Sequence, residues 1–368
     1  MGFDRQQQLP LQRNMKLASI EVARGIASVM VVFYHAARHL KADYGYLPWA
    51  GISQFGHAGV DFFFVLSGFI IFYVHRVDLG NAKRLPKYFY RRFTRIYPYF
   101  WFSLGVGILI AALSKTHVIP PISFLLLEAS LLPIEGDVGV AWTLQYEVLF
   151  YIVFAVMIIN LRIGICIFIA WLIFLIGTWV NYFPKFDIPI LLRLSDPFDI
   201  EFFFGMAAAY LITSKHITSY KTHMWLGFIL FFSAGLAENL YMLDGYTASA
   251  RLLYGLGAML LIIGITGFEF KRAFAIPKFL IEIGNASYSI YLFHLLCIGV
   301  AYKLFHVASL DSVLPVNIQY AVLVIAGVTG GMALSRIIEF PLINWVRKLF
   351  NNNVYRPHRS LTTDENPQ

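Results

Sequence analysis

Apolar runs of 17 to 24 residues recur along this chain, separated by short polar stretches. A helix needs about 20 such residues to cross the hydrocarbon core of a bilayer, so the pattern predicts a bundle of membrane-crossing helices. Ten spans are expected, at 17–38, 56–77, 97–114, 140–160, 163–183, 197–213, 224–242, 248–268, 283–306 and 316–338. The segment 119–134 is apolar but short and interrupted by prolines, and reads as re-entrant or interfacial. The expected fold class is therefore all-α, a polytopic integral membrane protein.

Composition agrees: 58% of the 368 residues are hydrophobic and 14% charged, against about 25% charged in soluble domains. A net charge of +8 raises the question of nucleic acid, but its distribution answers it. With the N-terminus inside, inner loops, tails and inner span ends carry 20 Lys and Arg, outer loops and outer span ends seven, and Arg24 and Arg336 fall deeper within spans. That asymmetry is the positive-inside signature, and it places both termini in the cytoplasm and removes nucleic acid from the expected partners. The chain divides into a cytoplasmic tail (1–16), a membrane domain (17–345) and a second cytoplasmic tail (346–368). The first apolar run is too long for a cleavable signal and reads as an uncleaved anchor. Cys166 and Cys297 both fall in spans, and neither suggests a disulfide or a metal site.

Charge inside an apolar run is where chemistry is expected. Arg24 and His35 both lie in the first span, and a cation at membrane depth costs roughly 2.5–3.5 kcal/mol on the insertion scale. Eleven helical steps leave the two only about 20° apart in azimuth and about 16 Å apart along the axis. A permanent cation low in the span and a titratable imidazole near the opposite rim thus share one face. Glu21, three residues before Arg24, offers a purely local ion pair.

Further on come GVDFFFVLSGF (59–69), RRFTRIYP (91–98), WTLQYEVLFY (142–151), SYSIYLFH (287–294) and EFP (339–341). With Arg24 and His35 this series, in this order, closely resembles the membrane-bound acyltransferase-3 family. The likeness covers nearly the whole chain and is strongest to small exopolysaccharide acetyltransferases without an added periplasmic domain. It implies a multi-pass protein of the bacterial inner membrane that moves an acyl group from cytoplasmic acyl-CoA, acetyl-CoA foremost, to a hydroxyl of an envelope polysaccharide or its lipid-linked precursor.

That reaction asks for a base, for oxyanion stabilisation and for a grip on CoA phosphates. His35 suits the base, with Asp61 or Glu147 holding its imidazole in one tautomer. Arg24, and the cluster Arg91, Arg92 and Arg95 in what reads as a basic loop, suit the phosphates. That loop is equally expected for insertion and for anionic lipid alone. His57 is a competing base, His294 bonds either substrate or a neighbouring hydroxyl, and Trp142, Trp179 and Asn181 could shape a sugar site or anchor the interface. Ser67 as an acylated intermediate is disfavoured, because nothing near it in sequence supplies a base. No metal is expected. The rival class is a transporter or flippase for a glycan or organic anion, with the buried charges as a proton relay.

Overall fold

A computed structural model describes residues 17–45, 47–51, 53–114, 120–133, 139–184, 186–214, 217, 219–271 and 275–354. The N-terminal tail 1–16, and residues 355–368 of the C-terminal tail, lie outside the described residues. Among the described residues the regular structure is helical. The helices are α1 (Ala18–Tyr44), α2 (Gly59–His75), α3 (Leu85–Ser114), α4 (Ile122–Ser130), α5 (Trp142–Ile159), α6 (Leu161–Trp179) and α7 (Pro189–Leu194). After them come α8 (Asp199–Thr213), α9 (Tyr220–Asn239), α10 (Ala248–Lys271), α11 (Lys278–Asn285), α12 (Ser287–Val307), α13 (Val316–Leu334) and α14 (Phe340–Val354).

Eight helical stretches among the described residues are long and apolar enough to cross a membrane, where ten were expected. The sixth expected span is α8, which has only 15 residues. The seventh is α9, with 20 residues but with Lys221, His223 and Glu238 in its sequence. The proline-flanked segment forms α4, nine residues long and about 14 Å at the helical rise, far too short to cross. Large apolar side chains on the outer faces, such as Leu113, Ile169 and Ile229, are exposed and match a hydrocarbon surrounding.

The segment 91–98 is not a loop. It lies inside α3, which runs unbroken from Leu85 through Pro98. Pro98 has no N–H for the carbonyl of Thr94; in the same turn Tyr288 donates to the Ile96 carbonyl at 3.0 Å and ties α3 to α12. Arg91, Arg92 and Arg95 therefore stand at helical spacing on the inner half of α3. Arg251, counted with the outer-side cations although it falls in the expected span 248–268, lies inside α10 and is 2% exposed.

The centre of the bundle is α2, packed by α1, α5, α8 and α10. The break in its apolar run at Ser67 and Gly68 makes this possible. A Cβ on Gly68 would collide with the backbone of Phe202, and one on Gly205 with the backbone of Val65 and Phe69. The two glycines let α2 and α8 touch along their backbones. Gly25 and Gly284 do the same for α1 and α11, whose backbones a Cβ at either position would strike.

The start of α1 has no cap of its own, since Leu17 precedes it. Glu269, near the end of α10, accepts from the N–H groups of Ala18 and Ser19 at 2.9 and 3.0 Å and from the Ser19 hydroxyl at 2.5 Å. A carboxylate at a helix N-terminus satisfies orphan donors and complements the helix dipole. Near the C-terminus α13 passes into α14 through a π-helical turn, Ser335–Glu339.

Replacing Gly205 by Ala forces the backbones of α2 and α8 apart. It should cost about 1–3 kcal/mol of stability, read as a lower melting midpoint of detergent-purified protein; an unchanged midpoint would contradict the close approach.

Candidate active site

Arg24, Arg92, Arg95 and Glu147 come from three separate helices and meet around one cleft. The cleft encloses a void of about 750 Å³, of which about 70 Å³ can hold the centre of a water molecule. Its walls include Phe63, Ser67, Ser287, Tyr288 and Tyr291. Helix periodicity brings these residues in: Arg92 and Arg95 are i and i+3 on α3, and Ser287, Tyr288 and Tyr291 share a face of α12.

The local alternative for Arg24 is realised as well, because its Nη1 lies 3.3 Å from Glu21. The pair leaves Arg24 on the wall of the cleft. Glu21, Glu147 and Glu339 all lie within electrostatic range of both Arg24 and Arg95. Arg92 sits over the Tyr151 ring at 5.6 Å, and its Nε is buried without a hydrogen-bond partner. Ser287 Oγ, also on the wall, is buried in the same state. Unfilled donors beside guanidinium groups suit an anionic, oxygen-rich ligand. Arg91 differs: it is exposed and does not line the cleft.

Glu147 accepts from the Ser67 hydroxyl at 3.1 Å and from the Tyr151 hydroxyl. Sequence offered Glu147 or Asp61 to hold the imidazole of His35; the hydrogen bonds Glu147 makes go instead to α2 and to its own helix. The contact also supplies Ser67 with the neighbouring carboxylate that its sequence surroundings lack.

Asp61 does not hold His35 either. It is fully buried and receives both of its oxygens' bonds from Arg251 Nη1, at 2.6 and 2.5 Å. Arg251 also lies 4.0 Å from the centre of the Phe198 ring. Glu201, on the α8 face toward this pair, has both carboxylate oxygens buried without a partner.

The neighbour His35 does have is His294. Their ring centroids are 5.0 Å apart, and Tyr34 sets its edge against His35 from the other side, also at 5.0 Å. His294 is completely buried, and its Nδ1 donates to the Tyr291 carbonyl at 2.7 Å. Nε2 of His294 is consequently the lone-pair nitrogen, and it has no hydrogen-bond partner. Tyr291 hydroxyl bonds Thr143 at 2.6 Å, and both residues line the cleft. The cleft wall thus reaches Tyr291, one helical turn before His294 on α12, and neither His294 nor His35 is on it.

His57, the competing base, is engaged elsewhere. Its Nε2 lies 2.9 and 3.0 Å from the oxygens of Glu238, to which Tyr254 also donates at 2.6 Å. Trp142 packs among Phe64, Tyr146 and Phe198 and does not reach the cleft. Among the described residues no group of three or more His, Cys, Asp or Glu is placed to hold a metal ion.

Sequence reasoning missed Arg251, Glu201, Glu238 and Glu339 as members of these networks. Each is an ionisable group within or beside an apolar helix, which was the usable signal. Their partners lie up to 190 residues away, and no spacing rule announces them.

Comparison with known proteins places residues 17–336 in the family of acyltransferase domains. The chain is 29% identical over 314 residues to an exopolysaccharide production protein, ExoZ, of Rhizobium meliloti, covering 78% of this chain and 90% of the relative. No solved structure matches it.

The Asp61–Arg251 pair separates structural from chemical roles. Asp61→Ala alone strands a buried cation and should cost about 3–5 kcal/mol, whereas Asp61→Leu combined with Arg251→Met should recover most of that stability. Melting midpoints of the two variants in detergent provide the check; equal losses would show that the pair is not what stabilises this region.

Proposed function

The chain belongs to the acyltransferase-3 family, and on that premise we propose that it is a bacterial inner-membrane O-acyltransferase. The donor is acyl-CoA from the cytoplasm, acetyl-CoA first, and the acceptor is a hydroxyl of an exopolysaccharide or its lipid-linked precursor. The likeness to an exopolysaccharide production protein supports the acceptor class. The single observation that carries the reading is the cleft where Arg24, Arg92 and Arg95 converge and whose wall reaches Tyr291, one turn before His294, the ring beside His35.

In this reading the guanidinium groups of Arg92 and Arg95, at the basic end of the bundle, take the phosphates of the donor. Arg24 lies deeper and lines the path of the pantetheine arm. The thioester reaches the level of Tyr291, where the rings of Phe63 and Tyr291 narrow the cleft at a centroid separation of 5.9 Å. Rotation of these two side chains opens the remaining turn to the histidines.

His35 then takes the proton of the acceptor hydroxyl as that oxygen attacks the thioester carbonyl. The tetrahedral intermediate collapses with loss of the CoA thiolate, which the proton on His35 neutralises. His294 is the positioning residue: with Nδ1 committed to a backbone carbonyl, its Nε2 can accept from the imidazole of His35 and fix its tautomer. An imidazole replaces the carboxylate expected from sequence, so no buried anion stands beside the proton-accepting nitrogen. Transfer is direct. Both termini lie in the cytoplasm, as the basic residues require.

Membrane vesicles containing the protein should move label from acetyl-CoA to a glycan acceptor. His35→Ala should lower the rate by about 10²–10⁴-fold at normal expression. Arg95→Ala should raise the KM for acetyl-CoA by about 10- to 100-fold, the loss of one charge-assisted contact of about 1.5–3 kcal/mol. Glycan movement across vesicles without any need for CoA would overturn the proposal in favour of transport.

A further inference from the structure

The end of the bundle away from the arginines carries two hollows that share a wall. One, an open hollow of about 940 Å³, is bordered by Lys41, Trp49, Asn317 and Tyr241. The other, of about 490 Å³, is bordered by Tyr241, Asp244 and Tyr246. Tyr241 borders both, so the two lie side by side as the halves of a trough divided by this tyrosine. Nothing in the acyl-transfer reading has used it.

Three observations indicate that the trough is built for a ligand. First, its aromatic side chains are held in place yet exposed. Trp49 is 51% exposed and edge-packed on Tyr320 at 5.5 Å; Tyr246 is 60% exposed and stacked on His57 at 4.8 Å, which Glu238 in turn holds. Second, Trp49 and Tyr241 both adopt left-handed backbone conformations, with φ of 50° and 58°. Side chains larger than glycine seldom settle there, and such strain concentrates at ligand sites. Third, polar groups are fixed between the rings. Asn317 Oδ1 accepts from the Trp49 N–H at 3.2 Å, and Asp244 Oδ1 accepts from the Tyr246 N–H at 2.9 Å.

The chemistry of the lining selects the occupant. Aromatic faces offer flat apolar contact, while a carboxamide, a carboxylate and an ammonium offer donors and acceptors in alternation. An apolar ligand would bury Lys41 and Asp244 without partners. A polyanion would meet Lys41 at one end and Asp244 and Glu238 at the other. A neutral or weakly charged oligosaccharide, apolar on its ring faces and rich in hydroxyls at its edges, satisfies both sets of groups.

The trough also leads toward the proposed chemistry. The Tyr246 hydroxyl bonds the Tyr34 hydroxyl at 2.6 Å, and Tyr34 lies against His35. We infer that this trough binds the saccharide acceptor at two sugar subsites, one on each side of Tyr241. The inference rests on the glycan-acceptor reading and adds the residues that recognise the glycan.

The test uses the full chain in detergent and calorimetric titration with oligosaccharides cut from de-O-acylated exopolysaccharide of the source strain. Tyr241→Gly should weaken binding at least tenfold. Its melting midpoint should hold, because glycine is at ease at φ 58° and the side chain it removes is 86% exposed. Trp49→Gly should weaken binding similarly, and Tyr241→Phe should retain most of it. Acetyl-CoA binding should not change in any of the three. If the wild type binds and acylates the oligosaccharide but both glycine variants bind it equally well, the trough assignment falls and the enzymatic reading stands. If the wild type binds it and the glycine variants do not, yet no acyl group moves, the trough stands and the enzymatic reading falls. A wild type that binds no oligosaccharide overturns the trough.

Discussion

An ionised side chain in a medium that cannot solvate it must find an opposite charge or a set of hydrogen bonds, and this constraint organises the whole bundle. The helices that carry charge are the ones that meet at its centre. Arg24 leans on Glu21, Asp61 on Arg251, and Glu147 on two hydroxyls. Glu269 spends its charge on the open end of α1. Glycines set the α2–α8 and α1–α11 contacts, whereas these charge pairs lie within α1 or between α2, α5, α10 and the start of α1.

The two halves of the membrane domain solve it differently. In the half that holds Arg92 and Arg95, cations and carboxylates surround a void, and donors such as Arg92 Nε and Ser287 Oγ are left unfilled. Toward the other end the pairs close on themselves: Arg251 with Asp61, His57 with Glu238 and Tyr254. Closed pairs fix geometry, and an open cluster leaves charge for something that arrives. Between the two regions stand Tyr291, His294 and His35 on adjacent turns of α12 and α1.

The helical plan was legible in the sequence because twenty-residue apolar runs have one physical explanation at membrane thickness. Local positions were legible too, since Arg24 and His35 follow from helical period alone. The errors have causes of equal clarity. Arg91, Arg92 and Arg95 read as a loop because hydropathy marks where a helix enters lipid, not where it begins. The partners of Asp61 and Glu147 were unreadable, because a pairing between distant helices depends on their rotation and lateral placement, which a one-dimensional pattern does not encode. The expectation that a carboxylate would hold His35 was reasoning by chemical role, whereas the ring that the fold sets beside His35 is a second imidazole, His294.

The π-helical turn at Ser335–Glu339 has a consequence for how this protein can change. Its closing bond runs from the Phe340 N–H to the Ser335 carbonyl, five residues back, so the turn holds one residue more than its neighbours. That surplus residue turns Glu339 inward, to accept from Ser335 Oγ at 2.7 Å. Excising a single amino acid there would restore ordinary pitch and leave the helices on either side in phase. Evolution thus has a one-codon route to withdraw this carboxylate from the arginines without disturbing the scaffold, a form of adjustment that substitution alone does not offer.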